Sequence, residues 1–269
     1  MKNNFRNYTI DENVKELYKN LRTNQTVDYV KNSLEKYCNF SRVITIWKAL
    51  EKLNNFIDVS DPDINLPNIH HLFQTAEAIR KDGYPKWLQM TGLIHDLGKI
   101  LYLKGCDEDG TTVKEQWGIV GDTFIVGCKI PDSVVFHEFN ELNPDSQNPE
   151  YNTKYGIYKK NCGLDNTMCS FGHDEYLYQV LKYNIQEGLC SLPDEALTII
   201  RYHSLYPWHK EGEYKHLMNE KDKKRLRLVK MFNKYDLYTK KDENIDLNSL
   251  KRYYDDLIGM FFPKRYICY

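Results

Sequence analysis

Residues 87–100 read WLQMTGLIHDLGKI, and this stretch decides the class of fold. Trp87, Met90, Ile94 and Leu97 recur at the three-and-four spacing of one helix face, so the segment reads as an amphipathic helix. Within it stand His95 and Asp96, two potential metal ligands flanked by Gly92 and Gly98. Neighbours on a helix point about 100° apart, so one ion cannot easily use both side chains. A carboxylate has two oxygens, however, and can bridge two ions while the adjacent imidazole binds one of them. The flanking glycines would let a second backbone or ligand come near.

The same periodicity extends in both directions. Val14, Leu17, Tyr18 and Leu21 share a face, as do Val43, Ile46, Trp47 and Leu50, and then Leu72, Thr75, Ala76 and Ile79. Further helical segments are expected at 173–186, 194–205, 221–240 and 247–261, with loops at 54–69, 104–118, 140–170, 187–193 and 206–215 where Pro, Gly, Asn and Asp gather. Alternating patterns are scarce, and Asp132–Phe136 is the best short strand candidate. The expected fold is all-α: a single-domain, irregular helical bundle.

The 269 residues carry 37 Lys and Arg against 38 Asp and Glu, which speaks against a general nucleic-acid or anionic-membrane binder. The basic run at 221–225 is broken by Asp222 and is expected on a solvated helix face. No stretch approaches the roughly 20 apolar residues of a membrane span, and the polar first residues lack the apolar segment of a signal peptide. The seven cysteines are odd in number and form no CxxC pair, so reduced thiols in the cytoplasm are expected. With net charge near zero and no heptad array, a monomer is the default expectation.

Potential ligands recur beside apolar residues along the chain: His71, His95 with Asp96, His173, His203 and Asp236. Imidazole nitrogen mixed with carboxylate oxygen suits iron, manganese or zinc. A lone histidine on an apolar helix is more often a hydrogen-bonded core residue than a ligand. Five such positions in compatible contexts are less easily accidental, yet periodicity alone does not select them. Six protein ligands with one bridging carboxylate would leave positions for a bridging hydroxide and a substrate, as catalysis requires.

The order His, HDxGK, His, His, Asp is that of an HD-type metal domain. The surrounding stretches closely resemble the myo-inositol oxygenase family: FRNY at 5–8, QTVDYV at 25–30, SDPDINLPN at 60–68, FQTAEAIRK at 73–81 and LIHDLGKI at 93–100. VGDTFIVGC at 120–128, GHDEYLYQ at 172–179, HSLYPWH at 203–209 and FNKYDLYTK at 232–240 continue the likeness to the C-terminal region. The resemblance implies an HD-type bundle with a di-metal centre between helices, residues 1–20 forming an N-terminal arm and the start of the first helix, and 21–269 the catalytic domain.

It further implies a non-haem di-iron centre, mixed-valent Fe(II)/Fe(III) with a bridging hydroxide or oxo group. With O2 it would cleave the ring of myo-inositol to D-glucuronate. By the family pattern His71, His95, Asp96 and Asp236 hold one iron, and Asp96 bridges to a second held by His173 and His203. His71 is preferred to His70 because FQTAEAIR follows it at the family spacing. Lys99, four residues after His95, would share its helix face and stabilise a metal-bound alkoxide. Asp58, Asp122, Ser204 and Lys240 match substrate contacts, Gly121 lets backbone approach the polyol, and Arg6 matches a residue of an arm covering the site.

His137 and His216 fall in loop-like or polar contexts, and a structural role suits His209. The stretches 103–118 and 183–193 look longer than the family usually carries, and the first leads straight into Gly121. Two other functions share this ligand set. An HD-type phosphohydrolase would use the cage to activate water, and a non-catalytic module would only hold metal. O2 uptake with myo-inositol, against hydrolysis of phosphate esters, separates the three.

Overall fold

The computed structural model describes residues 11–61, 66–238 and 246–269, so Arg6 with the arm at 1–10, and Lys240, lie outside the described residues. α1 (Glu12–Asn24) and α2 (Val27–Tyr37) start on Asp11 and Thr26, whose side chains accept backbone N–H groups of the first turn. A short strand β1 (Val43–Thr45) leads into α3 (Ile46–Lys52), where Thr45 closes the strand and caps the helix. α4 (Asn68–Lys81), α5 (Lys86–Ile94) and α7 (Asp194–Tyr202) each follow directly on a proline, which has no N–H to leave unsatisfied at a helix start. α6 (His173–Gln186), the short α8 (Tyr206–His209), α9 (Glu220–Tyr238) and α10 (Leu247–Phe261) complete the helices.

Five of these helices surround one centre. α4 packs on α5, α6 packs on α7, and α7 in turn touches α5 and α9, which α4 also reaches. Gly92 makes the α4–α5 approach possible: a Cβ there would lie 2.8 Å from Ile79 Cδ1 and 3.2 Å from the Ala76 Cα. The main core joins Val14, Leu17 and Leu21 of α1 to Tyr254, Leu257 and Ile258 of α10 through the α4–α5 layer. Each such side chain, fully buried, contributes about 1.5–3 kcal/mol relative to exposure. α1 runs unbroken through residues 20 and 21 and belongs to this same core.

Strands are few and short. β1 pairs antiparallel with β4 (Tyr266–Cys268), Ile44 opposite Ile267, and fastens the end of the chain beside α3. β2 (Ile125–Val126) pairs antiparallel with β3 (Met168–Cys169) and fixes the loop that follows Gly121.

Three expectations need correction. Asp132–Phe136 is not a strand but a series of turns: Phe136 has φ +51, outside extended geometry, and the Val135 N–H is taken by the Asp122 carboxylate at 3.3 Å. The helix expected from Val43 begins at Ile46, because β4 pairing holds Val43–Thr45 extended. The 221–225 run is not wholly solvated either. Asp222 is fully buried and accepts from the backbone N–H groups of Leu164 and Asn219.

Candidate metal centre

The decisive dipeptide sits at the end of a helix rather than within it. α5 stops at Ile94, His95 is its C-cap, and Leu97–Leu103 continues as a 3-10 segment. The His95 Nδ1–H donates to the Gly92 carbonyl at 2.9 Å, one of the acceptors a helix end leaves unsatisfied. His203 repeats the device at the end of α7, its Nδ1–H donating to the Ile200 carbonyl at 2.9 Å. His173 opens α6 and donates from Nδ1 to the Ile119 carbonyl at 2.7 Å. In each ring a carbonyl fixes the proton on Nδ1, so Nε2 carries the free lone pair of a metal ligand.

These Nε2 atoms converge. His71 Nε2 lies 3.1 Å from His95 Nε2 and 3.0 Å from Asp236 Oδ1, forming one pole with all three residues buried. His173 Nε2 and His203 Nε2 lie 3.4 Å apart and face Asp96 Oδ1 at 3.1 and 3.4 Å, forming the other. Asp96 stands between the two: His95 Nε2 is 3.8 Å from its Oδ1 and His71 Nε2 is 3.9 Å from its Oδ2. His71 rather than His70 reaches this cluster. The poles are drawn together by Gly98, where a Cβ would come within 2.1 Å of the His173 carbonyl oxygen. Only a glycine lets the 3-10 segment pass so close to the first turn of α6.

The electrostatics call for cations. Among the described residues, Asp96, Asp174 and Asp236 are buried carboxylates at the centre, and Lys99, 3% exposed, is the one buried ammonium there. Lys99 Nζ binds Asp96 Oδ2 and Asp58 Oδ2, both at 2.7 Å. Burial alone would lower the Lys99 ammonium, but Asp58 and Asp96 outweigh it and hold it above its ordinary value. Burial would raise Asp96, yet Lys99 and the facing imidazoles hold it well below the usual carboxylate range. Burial would likewise lower His173, but Asp174 and Asp96 push it up to about 10. A proton between those groups occupies the place that a metal cation would take. Four imidazole nitrogens facing one another, with more carboxylate than ammonium charge, fit two multivalent ions.

Beside the cage opens a cavity lined mainly by polar side chains. Asp58, Lys99, Gly121 and Ser204 line it, together with the cage residues Asp96, His173, His203 and Asp236. Gly121 takes φ +102, a conformation that favours glycine. Asp122 is not among the lining residues. Both of its oxygens are held by the fully buried Arg22, at 2.6 and 2.8 Å, so its carboxylate faces α1.

Several neighbours escaped sequence reasoning. Asn68 donates to Asp96 Oδ2 at 3.0 Å, and Tyr18, Ser60, Asp61 and Tyr206 also line the cavity. Asp174 is the most consequential, and a signal existed: residues 173–174 repeat the His-Asp pair of 95–96. His209 donates from Nε2 to the His203 carbonyl at 2.8 Å, buttressing a candidate ligand from behind.

A family profile described as Myo-inositol oxygenase matches residues 11–269, the whole of the described fold. The chain belongs to the myo-inositol oxygenase family. It is 49% identical over 265 residues to "Inositol oxygenase" of Dictyostelium discoideum, covering 96% of this chain and 88% of that one. It is 46% identical over 263 residues to "Inositol oxygenase" of Danio rerio, covering 97% and 90%. The Sus scrofa protein of the same name is 46% identical over 268 residues, covering 97% and 91%. Membership in the myo-inositol oxygenase family makes the chain an oxygenase, and no helix of the described residues is long and apolar enough to cross a membrane.

Proposed function

We propose that this chain cleaves the ring of myo-inositol with O2 to give D-glucuronate, using two iron ions held in the Asp96-bridged cage. The observation that carries the reading is a single buried carboxylate, Asp96, faced by two imidazole pairs and set beside a polar cavity that one ammonium enters. His71, His95, Asp96 and Asp236 would hold one iron, and His173, His203 and Asp96 the other. Iron bound there supplies Lewis acidity toward hydroxyl groups and the redox capacity that O2 chemistry needs.

The protein's own groups then bind and orient. Lys99 is fixed by Asp58 and Asp96, with its ammonium at the cavity wall, where it donates to a polyol oxygen and offsets developing negative charge. Ser204 offers a hydroxyl, and Gly121 lets backbone approach the ring. Asp122 acts from behind, keeping the Gly121 turn in position through Arg22. Arg6 and Lys240 join as polyol contacts on the strength of the family resemblance. The reaction consumes one O2 per inositol, with one oxygen atom entering the carboxylate and the other leaving as water.

A monomer is the working unit of this reading, and seven unpaired cysteines support a reducing compartment such as the cytoplasm. The test is anaerobic loading with Fe(II), followed by O2 uptake and glucuronate assay with myo-inositol. Equal uptake and product support the reading. No uptake, with hydrolysis of phosphate esters instead, replaces it with the phosphohydrolase.

A further inference from the structure

The second His-Asp pair has a carboxylate that the family ligand set leaves without a role. Asp174 is 1% exposed in the first turn of α6, and its Oδ1 lies 2.7 Å from His173 Nε2 and 3.4 Å from His203 Nε2. Both rings turn Nδ1 to a backbone carbonyl, Ile119 and Ile200, so the two ring atoms that face Asp174 Oδ1 are both Nε2. Lone pair against lone pair is repulsive unless a cation lies between. Asp96 Oδ1 meets the same nitrogens at 3.1 and 3.4 Å. Ligands at right angles on an ion, with bonds of roughly 2.0–2.2 Å, stand about 3 Å apart. Asp174 Oδ1 therefore has the spacing of a ligand, as Asp96 Oδ1 does.

The rest of the carboxylate is held for that purpose. Its Oδ2 accepts from Thr123 Oγ1 at 3.1 Å and from the Ser204 backbone N–H at 3.3 Å. The Ser204 hydroxyl reaches Oδ1 at 3.3 Å. Two neighbours thus fix one oxygen and turn the other toward the imidazoles, as outer partners do for known metal ligands.

We propose that Asp174 is a fourth protein ligand of the second metal in the substrate-free protein, giving that pole two imidazoles and two carboxylates. The proposal rests on the two-metal reading above. It implies that a polyol chelating this pole competes with Asp174 Oδ1, and that Ser204 and Thr123 retain the carboxylate when it yields.

The test uses the full chain, stripped with chelator and titrated anaerobically with Co(II), whose visible d–d bands strengthen as coordination number falls. In Asp174→Ala the second cobalt is expected to bind at least tenfold more weakly, with intensified bands, while the first binds as in the parent. Asp174→Asn, which keeps the size of the side chain and one of its two oxygens, checks that the fold is intact through its unchanged first cobalt. Its second cobalt is expected to be weakened less than in the alanine variant. Unchanged second-site affinity in Asp174→Ala overturns the proposal. So does weaker binding with an unaltered spectrum, the mark of a residue that only positions His173. The parent protein separates the two layers of the argument: if it binds only one cobalt per chain, the two-metal reading itself fails, and His203→Ala binding both cobalts at parental affinity would take His203 out of the second site.

Discussion

The close approach at Gly98 is the feature on which the two metal poles most depend, and Gly98→Ala measures that dependence. The new Cβ would sit 2.1 Å from the His173 carbonyl oxygen and 2.9 Å from Leu177 Cβ, where real contacts are at least 3.0 Å. The first turn of α6 must therefore retreat from Leu97–Leu103 by close to 1 Å to open that gap. Overpacking of this kind costs about 1–3 kcal/mol, which for a chain of this length lowers Tm by a few degrees per kcal/mol. The larger effect is on the site. Metal–ligand distances tolerate only about 0.2 Å, and His173 Nε2, 3.1 Å from Asp96 Oδ1, moves with α6. His71 and Asp236 lie on α4 and α9, His95 caps the end of α5, and all three are left where they were. Anaerobic titration with iron is expected to show that the variant keeps its first site and loses the second by tenfold or more, and a thermal melt that it stays folded. Two irons bound at parental affinity would show that the Gly98 contact does not set the spacing of the poles.

Four further outcomes follow from the same geometry. Lys99→Met removes the ammonium shared by Asp58 and Asp96 but no ligand, so iron content is expected to persist while turnover falls about a hundredfold or more; activity within threefold of the parent would remove Lys99 from the mechanism. Arg22→Met strands the buried Asp122 carboxylate at a cost of about 3–5 kcal/mol, and adding Asp122→Asn is expected to recover much of it in chemical denaturation; no recovery would mean that packing, not charge, explains the loss. Burial would raise the Asp109 carboxyl, but Lys36 at 2.8 Å, Thr111 and Tyr37 at 2.6 Å more than offset it and hold it below its ordinary value. A carboxyl depressed by folding stabilises above its unfolded pKa and loses that contribution as pH falls through the folded one, so Asp109→Asn should cost about 1–2 kcal/mol near neutrality; a penalty undiminished in acid would contradict this. Gly121→Ala combines φ +102 with a Cβ 2.5 Å from Leu21 Cδ1, and is expected to raise KM for myo-inositol more than it lowers kcat.

Much of this arrangement was legible in the sequence, for physical reasons that differ from residue to residue. Helices with one apolar face and clear end signals were readable to the residue, as at His173–Gln186 and Leu247–Phe261. Val43 shares the apolar spacing of the helix after it, yet pairs with a strand more than 200 residues later, a contact that periodicity cannot register. Asp132–Phe136 carries the Val-Val-Phe run of a strand, but its Val135 N–H is claimed by a side chain from 122. The candidate ligands were picked out by motif order, and the structure adds what order could not. His95 and His203 end their helices by bonding backward, and Gly98 brings two distant segments into contact. Asp122 is expected from the family pattern as a substrate contact; the structure shows its carboxylate held by Arg22, a hundred residues away on α1.

The central claim is that Asp96 joins two irons into one unit. Anaerobic iron loading, partial oxidation and EPR spectroscopy test it most directly, with iron counted in the same sample. Two irons per chain and the spin-coupled signal of a mixed-valent pair, lost in Asp96→Ala, are the predicted result. One iron per chain with only the signal of isolated high-spin Fe(III) would contradict the account.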